Sequence, residues 1–218
     1  MQVTHAIRER RSVRAFTAQP VPPQMIRQIL ELSLWAPSWA NAQAWNVFVL
    51  TGEPLEVLKE ELARKAESGQ AGPTDLPMPP RVWPEYLRER MVVRALASEI
   101  GDERAPVRPA AGPSGWQLYG APCLLLFAVD EQLEPRYACL DAGLLVQTIC
   151  LAAEDRGLAT CVMATAVRFP GVLHELIPEA KGMRFVVGLA LGQVDTNAAV
   201  NRSERKRVGI DEIVRWVE

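Results

Sequence analysis

The sequence is poor in the residues that most enzymes use to move protons or hold metals. Its 218 residues include only two histidines, His5 and His174. That excludes a histidine-rich metal centre, and a Ser-His-Asp triad would need one of these two. His5 falls on the first helix and His174 in the run Val172-Leu173-His174-Glu175, where a partly exposed structural role suits both. The four cysteines, Cys123, Cys139, Cys150 and Cys161, form no C-x-x-C pair, and each lies in an apolar run. They read as buried free thiols in a reducing cytoplasm, and no metal is expected. There is no G-x-x-x-x-G-K-[ST] loop, no G-x-G-x-x-G between strand and helix, and no G-x-S-x-G elbow. These absences remove P-loop nucleotide chemistry, a Rossmann dinucleotide site and an α/β-hydrolase nucleophile. Charge of one sign is also lacking. The formal net charge is -2, with arginines scattered among acidic residues, so nucleic acid is disfavoured as a partner. No apolar run spans a bilayer: the best candidate, Leu140 to Ala153, is too short and carries Asp141 and Gln147. The first residues, Met-Gln-Val-Thr-His, lead into an amphipathic segment rather than a secretory signal.

What is present is an ordinary globular composition, 49% hydrophobic and 23% charged, enough for one large core. Thr4 reads as the N-cap of a helix through Arg11. Pro22 and Pro23 open a second helix that buries Met25, Ile26, Ile29, Leu30 and Leu34 and stops at Pro37. A strand over Trp45 to Thr51 precedes a polar surface helix from Glu53 to Ala66. Loops rich in proline and glycine, Ser68 to Pro80 and Gly101 to Gly115, flank a helix from Pro84 to Ile100. Pro122 to Val129 is a fully buried strand, and Tyr137 to Arg156 a long apolar helix closed by Gly157. Strands over Leu158 to Met163 and Arg184 to Val194 enclose a short helix, Pro170 to Ile177. Ile210 to Val217 makes a terminal helix or turn. No repeat recurs, and strands and helices mix without a βαβ rhythm. An α+β layer architecture follows rather than a doubly wound sheet.

Three segments carry chemistry. Arg10-Arg11-Ser12-Val13-Arg14 packs three guanidiniums and a hydroxyl into five residues. A non-helical exit after Arg11 would converge Arg10, Ser12 and Arg14 on one anion, since arginine reads phosphate bidentately; a solvated basic helix end is the plainer alternative. Ala36 to Trp45 places Ser38, Asn41 and Gln43 in an elbow between a helix and a buried strand, where they either satisfy backbone groups or face a ligand. Asn201 to Arg207 forms a second basic cluster.

Taken together, Arg10-Arg11-Ser12-Val13-Arg14 with Phe16, then APS-x-x-N-x-Q-x-W at Ala36 to Trp45, resemble the flavin-dependent nitroreductase family. Gly120-Ala121-Pro122, Asp141-Ala142-Gly143 with Gln147, Gly157-Leu158-Ala159-Thr160, the glycines Gly188 and Gly192, and Arg205-Lys206-Arg207 extend the likeness over nearly the whole chain. The resemblance implies that family's α+β fold, a mixed, mostly antiparallel central sheet flanked by helices, in an intertwined homodimer, with FMN as cofactor and NAD(P)H as a transient co-substrate. Arg10, Arg205 and Arg207 would bind the flavin phosphate, with Arg11 beside them. Ser12 would reach phosphate or ribityl, and Arg14 the N1–O2 edge of the ring. Ser38 and Asn41 would come from the facing subunit or the ribityl side, with Gln43 and Gln147 at the polar periphery. A backbone amide from Met163-Ala164-Thr165 would meet flavin N5, so Arg14, Ala164 and Thr165 form the implied catalytic set. Trp39, Trp83, Tyr86, Arg90, Trp116 and Tyr119 would line the face for flat electron-poor acceptors such as nitroaromatics and quinones, with ping-pong kinetics. Ordinary packing is an equal alternative for Trp39 and Trp116.

The chain departs from the family pattern at two places. Ala44 stands where proline usually follows the glutamine, and Met163-Ala164-Thr165-Ala166 replaces Pro-x-Glu-Gly. Specialised flavin chemistry (fragmentation, dehalogenation or dehydrogenation) and non-catalytic flavin binding therefore stay open as alternatives. A lid is expected around residues 68–116 and a C-terminal extension around 195–218 of one domain.

Overall fold

The computed structural model describes residues 2–69, 73–77, 83–87, 90, 113–202, 205 and 207–218. The chain divides into two compact units, Met1–Pro79 with Ala110–Asp195, and Pro80–Pro109 with Thr196–Glu218.

The first unit is built on a four-stranded sheet. Its strands are β1 (Trp45–Thr51), β2 (Cys123–Asp130), β3 (Ala159–Met163) and β4 (Met183–Gly192), in the order β1-β2-β4-β3. All three strand pairs are antiparallel. The expected mixed character is confined to one isolated bridge, in which Ser12 pairs parallel to Thr160. The central strand β2 is buried on both faces, which is why CLLLFAV reads as a continuous apolar run. Its side chains still alternate. Cys123, Leu125 and Phe127 enter one core; Leu124, Leu126 and Ala128 enter the other. On β4 that alternation is broken by a bulge. Phe127 faces Val187 but Ala128 faces Phe185, so Val186 is the extra residue. The bulge lets Phe185 join one core while Val187 packs against the other, although both are odd-numbered.

Helices α1 (Val3–Glu9), α2 (Pro23–Ser33), α3 (Gly52–Glu67), α4 (Pro113–Trp116), α5 (Pro135–Asp155) and α6 (Pro170–Leu176) cover this sheet. The 21-residue α5 is started by Pro135 at its first position and by the Glu134 carboxylate, which accepts from Arg136 N–H at 3.0 Å and Tyr137 N–H at 3.4 Å. Gly157, at φ +71°, ends it in a conformation that a Cβ disfavours.

Three local expectations are corrected. The first helix stops at Glu9, two residues early, and its N-cap is Gln2, with Thr4 inside the helix. Arg10 leaves it at φ -51°, ψ 127° because its neighbours Ser12 and Val13 are drawn onto β3. The second helix ends at Ser33 rather than Pro37, and Leu34 is exposed, since it lies one residue past the buried stripe of Ile26, Ile29 and Ser33. The loop expected over Gly101 to Gly115 yields a helical turn from Pro113; its residues before that lie outside the described set. Of the helix expected from Pro84 to Ile100, Glu85–Leu87 and Arg90 are helical, and the remainder lies outside the described residues.

The second unit contains a turn of 3-10 helix, Ala199–Arg202, and one helical turn, α7 (Ile210–Ile213). Within it Arg90 lies 5.5 Å from the Tyr86 ring centroid and 3.5 Å from the Glu212 carboxylate.

Candidate functional site

The basic N-terminal segment touches the edge of β3 through one isolated parallel bridge, Ser12 to Thr160. Val13 N–H donates to Thr160 O at 3.0 Å, and Phe16 N–H donates to Tyr119 O at 3.1 Å. Val13 and Phe16 are buried as core anchors, while Ser12 and Arg14 are half-exposed. Ser12 and Arg14 flank the buried Val13 and reach the surface on either side of it. Arg14 Nη1 donates to Ser12 O at 3.3 Å, which holds the guanidinium over the strand edge. The order of events is therefore physical. Val13 and Phe16 fix the backbone, and Ser12 and Arg14, on either side of Val13, stay at the surface. Arg10 and Arg11, also half-exposed, precede them on the extended exit from α1.

The same strand leads to the second part of the site. At the far end of β3, Met163 is buried and Ala164 exposed, and a 3-10 turn spans Ala164–Val167. Thr165 is half-exposed. This turn packs close against β4, because Ala166 is buried over Gly188.

The polar elbow is organised by its own side chains. Ser38 Oγ accepts from Gln43 N–H at 3.0 Å. Gln43 Nε2 donates to Asn41 O at 3.3 Å and to Asn41 Oδ1 at 3.1 Å. Ala40, Asn41 and Gln43 all have positive φ, between 48° and 55°. Trp39 N–H donates to Asp141 Oδ1 at 3.0 Å, and the Trp39 ring stacks on Tyr137 with centroids 5.0 Å apart. Gln147 is exposed on α5.

The aromatic expectations divide. Trp39 is exposed on its own turn with its ring against Tyr137 of α5, whereas Trp116 packs against Phe169 with centroids 5.7 Å apart, and both Trp116 and Tyr119 rest on the core. Trp83, Tyr86, Arg90, Arg205 and Arg207 belong to the second unit. A groove of about 880 Å³, lined by Val21, Ile26, Leu30, Val49, Lys59 and Pro122 among others, contains none of the expected site residues.

In the sequence Asp141 stands out as a polar break in an apolar helix and as part of the Asp141-Ala142-Gly143 likeness, with no role attached to it. Its carboxylate is 4% exposed, and it grips the elbow from outside. A buried acid on an otherwise apolar face is the signal that could have singled it out.

Burial disfavours the thiolate at three of the four cysteines. Desolvation pushes the Cys123 thiol up from 9.0 to about 12, and raises Cys150 and the half-buried Cys139 as well. The native protein is expected to react slowly with a thiol reagent at pH 8, and all four cysteines are expected to react once it is unfolded. Rapid labelling of Cys123 in the native state would contradict the burial. The sign for stability follows. Between pH 9 and about 12 the unfolded chain releases the Cys123 proton and the folded chain keeps it. Folding free energy from this group is therefore complete below pH 9 and declines as pH rises through that window.

The sequence and fold both have known counterparts. Residues 7–192 match the Nitroreductase family. The chain is 32% identical over 200 residues to a 4-nitrobenzoate reductase of Pseudomonas putida, covering 89% of this chain and 86% of the relative. It is 32% identical over 222 residues to a chloronitrobenzene nitroreductase of Comamonas testosteroni, covering 97% and 95%. The crystal structure of an FMN and NADPH-dependent nitroreductase NfnB from sphigopyxis sp. strain HMH superposes with a TM-score of 0.89 at 27% identity over the full length of both chains. The chain belongs to the nitroreductase family.

Proposed function

We propose that this protein is an FMN-dependent NAD(P)H oxidoreductase that reduces nitroaromatic compounds and related flat electron-poor acceptors, quinones among them. The observation that carries the reading is the edge of β3. A strip bearing Arg10, Arg11, Ser12 and Arg14 is bridged to it at Thr160, and its other end turns at Ala164 and Thr165. The relatives named for reduction of nitrobenzoate and chloronitrobenzene support the substrate class. The donor set fits FMN. Guanidiniums and a hydroxyl suit a phosphate monoester dianion, and a short turn with an exposed Ala164 suits a flat ring that must approach backbone.

When bound, FMN supplies two-electron hydride chemistry at its N5 position. The residues around it bind and orient. Arg10 and Ser12 hold the phosphate and ribityl end. Arg14 sets a fixed cation at the ring edge where negative charge accumulates on reduction. The backbone at Ala164 and Thr165 offers an N–H without adding a competing base. Ser38, Asn41, Gln43 and Gln147 supply neutral polar contacts. Shared use of one face by NAD(P)H and acceptor gives ping-pong kinetics. Anaerobic mixing tests the whole reading. Purified protein should be yellow, bleach with NADPH or NADH, and recolour with a nitroaromatic. A colourless protein that stays colourless after FMN reconstitution would refute it.

We further infer a homodimer. Among the described residues, α5 exposes Tyr137, Leu140 and Leu144 in one stripe, with Trp39 stacked alongside. The apolar run read from the sequence, Leu140 to Ala153, is too short to span a bilayer, but the helix itself, Pro135–Asp155, is long and apolar enough by length and composition, and half of its most apolar window is buried within the protein. A second copy is the occupant that fits an apolar stripe beside a polar elbow. Leu140→Glu with Leu144→Glu should convert the dimer to monomer in light scattering, with loss of FMN. An unchanged dimer would place the interface elsewhere.

Acceptor choice is proposed to reside in the segment Pro73 to Trp116, with Trp83, Tyr86 and Arg90. Alanine at Tyr86 or Arg90 should change catalytic efficiency unequally across a panel of nitroaromatics and quinones while FMN content stays full. A uniform loss across the panel, or loss of FMN, would assign these residues a structural role instead.

A further inference from the structure

We propose that Asp141 is a positioning residue that sets the Ser38–Gln43 elbow for ligand contact, an inference that rests on the flavin reading above. The elbow has an improbable backbone. Ala40, Asn41 and Gln43 occupy the left-handed region, at φ 50°, 55° and 48°, where a Cβ crowds the following carbonyl. Asparagine tolerates that region; alanine has no side-chain compensation. Three such residues within four persist only where surrounding structure holds them. The bonds from Gln43 to Ser38 and Asn41 close the elbow on itself, and they do not fix it to the sheet or helices.

Asp141 supplies that fixation. It accepts Trp39 N–H at 3.0 Å from a position 4% exposed, so water competes little for the bond. A carboxylate accepting a backbone N–H is among the stronger hydrogen bonds in a protein. Tyr137 lies one helical turn before Asp141 on α5, and residues at i and i+4 are neighbours on one face. Trp39 is thus held twice by one helix face, at its backbone by Asp141 and at its ring by Tyr137. The consequence reaches the ligand. With Oδ1 engaged by Gln43 Nε2, exposed Asn41 presents its amide N–H2 as a donor. Ser38, whose oxygen accepts from Gln43, has its hydroxyl hydrogen left to donate. Two aimed donors suit hydroxyl, carbonyl or anionic oxygens of a bound flavin, and they are aimed only while the elbow keeps its shape.

The test compares the unmodified protein with Asp141→Leu, which removes the acceptor, and Asp141→Asn, which keeps a neutral one. Two quantities are read: amide exchange over residues 38–44 without added ligand, and FMN affinity from quenching of free flavin fluorescence. Asp141→Leu should accelerate exchange over 38–44 while β2 stays protected, and weaken FMN binding by about ten-fold or more. Asp141→Asn should accelerate exchange in that segment by about two- to five-fold and hold FMN affinity within about three-fold, as a neutral acceptor is roughly half as strong. Unchanged exchange over 38–44 in Asp141→Leu overturns the proposal, as does a loss of affinity in Asp141→Asn equal to that in Asp141→Leu. If Asp141→Leu does not fold, Asp141→Asn decides alone: acceleration confined to 38–44 supports the tether, and unchanged or delocalised exchange overturns it. An unmodified protein that takes up no FMN overturns the flavin reading, whereas full affinity in both the unmodified protein and Asp141→Leu overturns only the role of Asp141.

Discussion

Replacing Gly188 with alanine should lower the melting temperature by about 2–12 °C, which corresponds to about 1–3 kcal/mol of overpacking in a chain of this size. Gly188 lies on β4 between Leu126 of β2 and Met163 of β3. A Cβ there would stand 2.5 Å from the Ala166 Cβ and 3.3 Å from Leu124 Cδ1. The first distance is far inside van der Waals contact, and the neighbour is a methyl on a turn rather than the tip of a flexible chain. Ala166 is fully buried and sits between Val167 and the residues proposed to meet the flavin, Ala164 and Thr165. Relief therefore requires the whole turn to move outward, so FMN affinity should fall together with stability. The coupling can be measured. Ala166→Gly removes the opposing methyl, and Gly188→Ala should cost less in that background by about 1 kcal/mol or more. Equal cost in both backgrounds would show that the clash is not what Gly188 avoids.

The bulge and the elbow mark the limit of what the sequence discloses. The strand at Cys123–Asp130 and the helix at Pro135–Asp155 were legible because burial on two faces and a long apolar period leave few alternatives. Phe185 and Val187 read as neighbours on one face, since period two admits no other pattern until a partner strand imposes an extra residue. The Arg10–Arg14 strip was legible as chemistry but not as geometry. Nothing local stops α1 at Glu9; the pull comes from Thr160, some 150 positions later, which accepts Val13 N–H. The elbow shows the same dependence. Its side chains named a polar turn, while the left-handed Ala40 and Gln43 are tolerated because Asp141, a hundred residues on, holds Trp39. Left-handed Leu118 and Tyr119 also ran against propensity; Tyr119 O there accepts Phe16 N–H. Local rules failed where long-range partners override them, and most of those places border the proposed site.

Arg10→Ala and Arg14→Ala should fail in different ways, although four residues separate them. Arg10 leaves α1 on the segment that follows it, half-exposed, and its proposed partner, the flavin phosphate, is charged in every redox state. Its loss should weaken FMN binding by about 10–100-fold, the scale of one charged hydrogen bond worth roughly 1.5–3 kcal/mol. The flavin that remains bound should reduce at close to the normal rate. Arg14 is held by a different geometry. It flanks buried Val13 together with Ser12, and its guanidinium donates to Ser12 O at 3.3 Å. Its proposed partner, the N1–O2 edge, carries little charge when oxidised and a full negative charge when reduced. Arg14 therefore stabilises the reduced form selectively, and removing it should lower the potential and slow hydride uptake from NAD(P)H by about 10–100-fold for a loss on the same scale. Affinity for oxidised FMN should change much less. A lysine at position 14 restores the charge but not the planar fork, so Arg14→Lys should recover potential more than rate. Stopped-flow reduction and a redox titration of the same preparations separate the cases. If Arg14→Ala binds FMN weakly yet reduces at the normal rate and potential, Arg14 belongs with Arg10 in the anion site, and the ring edge is served by another group.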